Sequence, residues 1–299
     1  MNNKLQAVII GEVLFDLFED GQAILGGAPF NVAWHLQGFG QSPLFISRIG
    51  QDKYGEQINK TMQDWGMDVT GLQHDSQHSS GMVKVMLDNG QPSFDICDEV
   101  AYDYIDLAAA DAALVNIPSP FLYHGSLSAR HPQVFDLIQQ FRQGAMSSFV
   151  DINLRPPWWD KSSVLKLMQG ADCLKVNDDE LMTLTGVNNE SSKMVDAAKG
   201  LMQEHDIDSV IITRGADGAL LITQDDVIQS RPVAVSRMQD TVGAGDAFSS
   251  VCMLGMIENW DDVITLERAS EFAAKICEQR GATSRNTALY DFYKGQWQL

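Results

Sequence analysis

Basic residues are scarce in this chain of 299 residues, which sets 21 Lys+Arg against 40 Asp+Glu for a formal charge of −19. A nucleic-acid binder needs a cationic face to displace counterions from phosphates, and an anionic membrane surface demands the same, so both partners are disfavoured. A phosphorylated substrate is not, because a few local cations or a helix N-terminus can bind phosphate within an acidic protein. Cysteine is also sparse. Cys97, Cys173, Cys252 and Cys277 lie far apart without a Cys-x-x-Cys pair, and they read as reduced core residues of a cytoplasmic protein. Long apolar runs are missing: the opening MNNKLQAVIIGEVLFDLFED is broken by Glu12 and Asp16, carries no leader-cleavage pattern, and reads as a first strand. There is no internal repeat, low-complexity tract or Pro/Ser-rich linker. What remains is ordinary globular composition, 44% hydrophobic and 20% charged, at a length that suits one large α/β domain over residues 1–299.

Short β-like runs alternate with helix-like ones through most of the chain. Ala7–Gly11, Leu44–Ile49, Phe121–His124, Ser148–Ile152, Cys173–Val176 and Ser209–Thr213 read as strands. Pro29 opens a helix that Gly38 and Gly40 stop, and Tyr54–Trp65 places Ile58, Met62 and Trp65 on one face. Helical patterns also cover Pro132–Phe141, Ser163–Met168, Asp178–Leu184 and Lys193–Glu204. This rhythm predicts a three-layer αβα sandwich around a mostly parallel sheet. Two stretches break it. Met82–Leu87 and Ser93–Ile96 alternate around Asp88-Asn89-Gly90, a strong hairpin signal, and Val13–Phe18 with Ala23–Leu25 suggests a second hairpin through Glu19-Asp20-Gly21. The two ribbons, within about 12–26 and 81–104, are expected to form a small β-sheet lid; edge strands of the main sheet are the alternative.

The sharpest segment is Asp240-Thr241-Val242-Gly243-Ala244-Gly245-Asp246-Ala247-Phe248, a small-residue turn feeding a buried helix. Gly243 and Gly245 permit close approach of a ligand, and first-turn amides without intrahelical acceptors form an anion site at the positive end of the helix dipole. An ionised Asp246 beside such a site suits phosphoryl transfer to a hydroxyl: the carboxylate takes the proton while the amides hold the moving oxygens. A tight turn with Asp246 as a helix cap is the plainer reading. No Gly-x-x-x-x-Gly-Lys-[Ser/Thr] sequence occurs, so this is not a P-loop.

Residues 240–248, DTVGAGDAF, resemble the second signature of the ribokinase-like (PfkB) carbohydrate kinases, and residues 25–33, LGGAPFNVA, resemble that family's sugar-binding signature. Asn177-Asp178-Asp179-Glu180 is similar to its NxxE element, and Thr213-Arg214-Gly215-Ala216-Asp217-Gly218 to its nucleotide-binding turn. Asp151-Ile152-Asn153-Leu154-Arg155-Pro156 resembles the DxNxR strand end of the fructokinase branch. The matches stand in family order across roughly residues 7–285.

The resemblance implies an ATP-dependent sugar kinase acting on a primary hydroxyl, with fructose as the favoured acceptor. Asp246 would be the base, and the amides of Gly243, Ala244 and Gly245 the anion hole. Asp16, Gly26, Gly27 and Asn31 would hold the sugar. Arg155 either reaches a sugar hydroxyl or the moving phosphoryl, or forms a surface ion pair. Thr213, Gly215 and Gly218 would line the nucleotide. Asn177 and Glu180 would order water around Mg²⁺, against which stands a simple capping interaction at their i, i+3 spacing. Asp240 and the carbonyl of Val242 would hold a monovalent cation, K⁺, although the following Arg280–Asn286 segment departs from the commoner family pattern. The alternatives are a 2-keto-3-deoxygluconate kinase, a riboside or nucleoside kinase, or a non-catalytic sugar sensor on the same fold. A homodimer through the lid is expected. His35 reads as a packed or surface residue, Trp158-Trp159 as packing, and His74 with His78 as a polar loop rather than a metal site.

Overall fold

The computed structural model describes residues 5–88, 91–187 and 190–299. In chain order the elements are β1 (Gln6–Ile10), β2 (Leu14–Phe18), β3 (Ala23–Gly26), α1 (Ala28–Gly38), β4 (Leu44–Gly50), α2 (Lys53–Asp64), β5 (Leu72–Asp75), β6 (Gly81–Asp88) and β7 (Gln91–Ile96). They continue with α3 (Leu107–Leu114), β8 (Pro120–His124), α4 (Pro132–Gly144), β9 (Ser147–Asp151), α5 (Lys161–Met168), β10 (Cys173–Asn177), α6 (Asp178–Thr185) and α7 (Ser191–His205). The last third holds β11 (Ser209–Thr213), β12 (Ala219–Ile222), β13 (Val227–Gln229), α8 (Ala244–Glu258), α9 (Asp262–Ile276) and α10 (Thr287–Trp297).

The large sheet runs β13-β12-β11-β10-β9-β8-β1-β4-β5. It is parallel from β11 to β5, and β12 and β13 continue it antiparallel. Side chains alternate across a strand, and here both faces are apolar. Ala7, Ile9, Phe121, Tyr123, Phe149 and Ile211 pack into one cluster with α1, α2, α8, α9 and α10. Their immediate neighbours Val8, Ile10 and Leu122 pack toward α3 and α4 on the other face, and Val150, Leu174, Val210 and Ile212 toward α5, α6 and α7. This is the expected αβα sandwich.

Both predicted ribbons are present, and they join in a way the sequence did not disclose. The small sheet runs β3-β2-β6-β7, with hairpin pairs β2–β3 and β6–β7 linked by a parallel pairing of β2 with β6. The expected Asn89-Gly90 turn lies outside the described residues. No described helix is long and apolar enough to cross a membrane. Cys173, Cys252 and Cys277 are buried free thiols, and Cys97 is half-buried. Of the histidine pair, His74 falls in β5, while His78 stacks on Tyr104 with ring centroids 3.8 Å apart and meets Asp75 at 3.0 Å. Trp158 is half-buried against Arg130, whose guanidinium lies 4.4 Å from its ring, and with Trp159 it also lines a small cleft.

His35 ties the C-terminal segment to α1. It is fully buried, with Nε2 3.0 Å from the Ala282 carbonyl and Nδ1 2.9 Å from the Tyr290 hydroxyl. The carbonyl can only accept, so Nε2 carries the proton and Nδ1 accepts from Tyr290. Burial pushes the ring's pKa down to about 4, so it is neutral at neutral pH, and Tyr290, whose hydroxyl also lies 3.3 Å from the Ser284 carbonyl, is the donor available to Nδ1. Between about pH 6.5 and 4 the unfolded chain therefore binds a proton here that the native one does not, and this contribution to stability falls as pH falls. Buried carboxyls such as Glu12 and Asp246, shifted upward, act in the opposite sense. The comparison that isolates His35 is urea unfolding of wild type and His35→Leu at several pH values. The variant, which unpairs the Ala282 carbonyl, loses about 1–3 kcal/mol at pH 7, and the gap between the two proteins narrows from pH 6.5 toward pH 4. A gap that widens on acidification contradicts this.

Candidate active site

The carboxyl ends of the parallel strands converge on the first turn of α8, the usual location for ligands in an open α/β sheet. Gly243 is its N-cap, at φ 80°, and makes no side-chain cap. The requirement for glycine is steric as well as conformational, because a Cβ there would lie 2.3 Å from the Ala282 Cβ. The Ala244 amide donates to the Thr241 carbonyl at 3.3 Å, so that expected anion-hole donor is partly engaged within the turn. Gly245 and Asp246 follow in the first turn, where amides have no intrahelical acceptor.

Two clefts meet at this turn. One, of about 660 Å³, is lined by Thr213, Gly215, Gly218 and the apolar Val233, Met238 and Phe248. The other, of about 600 Å³, brings together Asp16, Gly26, Gly27, Asn31, Arg155 and Asp246. Thr241 and Gly245 belong to both walls. The small sheet supplies one side of the second cleft through residues such as Leu14, Ile24, Val83 and Phe94. A Cβ on Gly245 would meet nothing closer than Lys175 Nζ at 3.6 Å, so the fold itself does not demand glycine there.

Asp246 is held by Asn31, whose Nδ2 donates to Oδ2 at 2.7 Å. Burial raises the Asp246 pKa to about 6; the Asn31 bond opposes this, Asp151 adds to it, and Lys175 and Arg155 oppose it. With a pKa of about 6 the Asp246 carboxylate is still mostly ionised at neutral pH, and it lies in the range that favours a general base. Asp16, on β2, is likewise raised to about 6 by burial, with Arg155 opposing. Arg155 makes no ion pair among the described residues, and Nη1 donates to the Leu154 carbonyl at 3.0 Å. It is exposed and forms part of the second cleft's wall.

Beneath α8 lies a buried pair that sequence reasoning missed. Lys175 Nζ stands 2.9 and 2.8 Å from the two Asp151 oxygens, and Ser249 of α8 donates to Asp151 Oδ2 at 2.7 Å. The available signal was a lone lysine inside the apolar strand Cys173–Asn177. Glu12, read in the sequence only as a break in an apolar run, also lines the second cleft.

Other expected residues stand apart. Asn177 and Glu180 line neither cleft. They form a capping box, with the Glu180 amide 2.8 Å from Asn177 Oδ1 and the Asn177 amide 2.9 Å from Glu180 Oε2, while Glu180 Oε1 accepts from the Leu154 amide at 2.8 Å. Each Glu180 oxygen thus already accepts a backbone N–H, which leaves lone pairs for water and makes direct metal binding unnecessary to explain its burial. Asp240 accepts from the Val242 amide at 3.0 Å and the Gly281 amide at 3.1 Å, tying the turn to the Gly281-Ala282 segment. Among the described residues no group of three or more His, Cys, Asp or Glu could hold a metal ion.

The two glycines separate by stability. Gly243→Ala should cost at least about 1–2 kcal/mol from its left-handed backbone alone, before the Ala282 clash is counted. Gly245→Ala should unfold within about 0.5 kcal/mol of wild type, since alanine suits a helix at least as well. Denaturant titration of both variants tests this, and equal losses would refute it.

The chain is 29% identical over 302 residues to a putative sugar kinase of Pyrococcus horikoshii, covering 92% of this chain and 91% of the relative. It is 28% identical over 269 residues to a fructokinase of Escherichia coli, covering 83% of each. The fructokinase of Vibrio cholerae O395, solved with fructose, ADP and a calcium ion, superposes with a TM-score of 0.79 at 26% identity, over 97% of this chain and 99% of that one. The profile of the pfkB family carbohydrate kinases matches residues 11–288. The chain belongs to the pfkB family of carbohydrate kinases.

Proposed function

We propose that this protein transfers the γ-phosphoryl group of ATP to the primary hydroxyl of fructose, giving fructose 6-phosphate. The observation that carries the reading is the meeting of two clefts at the first turn of α8, with Asp246 on the second cleft and Gly245 on both. Nucleotide would occupy the cleft lined by Thr213, Gly215 and Gly218, its terminal phosphate reaching the α8 amides. Sugar would occupy the other, between Asp16, Asn31 and Asp246. Asp246, fixed by Asn31, takes the hydroxyl proton as the oxygen attacks, and the amides at Gly243, Ala244 and Gly245 receive charge on the moving phosphoryl. Mg²⁺ would arrive on the nucleotide, its water shell ordered near Asn177 and Glu180. A monovalent cation, K⁺, would sit at Asp240 and the Val242 carbonyl, as the motif resemblance implies.

Charge favours a neutral acceptor. Glu12, Asp16 and Asp246 face the cleft with Arg155 as the cation on its wall, so an acidic sugar such as 2-keto-3-deoxygluconate would meet like charge. The small sheet would act as a lid within a single catalytic unit, excluding water that competes for the phosphoryl group. Its outer strands β3 and β7 and the exposed Phe94 support a homodimer formed through it. Buried free thiols fit the reducing cytoplasm.

An ADP-release assay across fructose, ribosides and acidic sugars should give turnover with fructose; turnover confined to another acceptor rejects the substrate. Asp246→Asn should lower kcat by about 10²–10⁴-fold without changing the fold. Because only the ionised base works, kcat/KM should fall as pH drops through about 6. Gly245→Ala, though stable, should lose turnover by placing a methyl group on both clefts. Light scattering on a sizing column should show a dimer that Phe94→Lys weakens.

A further inference from the structure

Glu12 stands two residues beyond β1, at the carboxyl end of a central strand, and only 2% of it is exposed. Its Oε2 is buried without a hydrogen-bond partner. A buried carboxyl oxygen left unpaired costs on the order of a lost charged hydrogen bond, so this residue needs an explanation. Arg155 and Arg130 are close enough to influence it, yet neither pairs with it; Arg130 is bound to Asp103 at 2.8 Å. Burial, with Asp246 nearby, raises the Glu12 pKa to about 7.

Its position is fixed from behind. A Cβ on Gly27, at φ 110°, would lie 2.7 Å from the Glu12 carbonyl oxygen, so the Gly26-Gly27 turn that opens α1 is packed against the Glu12 backbone. That same turn sets Asn31, which spends Nδ2 on Asp246 and leaves its Oδ1 buried and unpaired as well. Two orphaned acceptors thus line one cleft beside the base, and the protein supplies a donor to neither. A polyol carries such donors.

We propose that Glu12 is a specificity-determining residue of the acceptor cleft, its Oε2 accepting a hydrogen bond from a sugar hydroxyl other than the one that Asp246 deprotonates. This rests on the reading of that cleft as the sugar site. A site built to accept from a hydroxyl rejects the analogue lacking it, because the buried acceptor is again left unpaired.

The test pairs substrate and protein deletions, using a panel of singly deoxygenated analogues of the acceptor that wild type phosphorylates. Wild type should lose about 10–100-fold in kcat/KM for one analogue, the equivalent of one charged hydrogen bond. In Glu12→Met that same analogue should be penalised less than about threefold relative to the parent sugar, whereas penalties at other hydroxyls and the KM for ATP stay as in wild type. Glu12→Gln, which keeps an acceptor oxygen, should retain part of the penalty, and it serves as the readout should the methionine variant not fold. Every deoxy penalty persisting unchanged in these variants overturns the proposal and leaves Glu12 a structural residue. If wild type ignores fructose but phosphorylates another sugar, the substrate reading fails alone, and the panel built on that sugar still decides Glu12. If no sugar is phosphorylated and none shifts the melting temperature, both fall.

Discussion

The first turn of α8 has to stand bare between two clefts, and most of the structure serves to hold it there. A helix N-terminus attracts anions only if its amides are left free, which also leaves it without a cap of its own. Support comes from outside instead. Ala282 packs against Gly243, Asp240 bonds the Val242 and Gly281 amides, and Ser249 anchors α8 to Asp151 and through it to Lys175. His35 holds the Ala282 carbonyl from the opposite side. Apart from the Asp240 bond to the Val242 amide, a local turn bond, these contacts join segments distant in sequence, so tertiary contacts position the turn along with its local geometry.

That arrangement removes the apparent conflict between a charge of −19 and the handling of phosphate esters. On the proposed function, oriented backbone dipoles and a metal ion carried on the nucleotide would provide the positive potential, with few basic side chains required. Lys175 is buried near the turn, but Asp151 neutralises it. The acidic side chains that matter gather on the other cleft, where burial pushes Glu12, Asp16 and Asp246 toward neutral pKa values. Neutral hydroxyls suit such a wall, because they donate to carboxylates without bringing further negative charge.

Much of this was legible from sequence because it is local. Alternating strands and helices announce the sandwich, and the glycine-rich segment before α8 announces the turn at which the two clefts meet. What escaped was non-local. Nothing in Leu14–Phe18 or Gly81–Asp88 announces that the two hairpins join through a parallel pairing. The three-residue strand β13 is too short for a periodic signal, and α9 and α10 went unread because their apolar stripes are interleaved with charge. Glu12 and Lys175 were missed for a different reason: a single charged residue in an apolar strand reads as an interruption until its neighbours are known. The capping box at Asn177 and Glu180 shows the converse, a motif with two readings whose local geometry is now fixed while its role toward a metal is not written in that geometry.

The two clefts also differ in what they are able to discriminate. The first cleft, proposed for the nucleotide, presents mostly apolar side chains, Val233, Val235, Met238 and Phe248 among them, with Thr213, Thr241 and Ser270 as its polar side chains. Such a wall selects by shape and by backbone contacts. The acceptor side concentrates carboxyls, an amide and a guanidinium around one small volume. Polar groups fixed in a cleft reject a misfit ligand strongly, because each unpaired acceptor carries its own desolvation penalty, whereas apolar walls reject weakly. If the sugar occupies the second cleft as proposed, selectivity belongs on that side of α8, and changes of acceptor within the family should be sought among residues 12–31 and on the small sheet beside them.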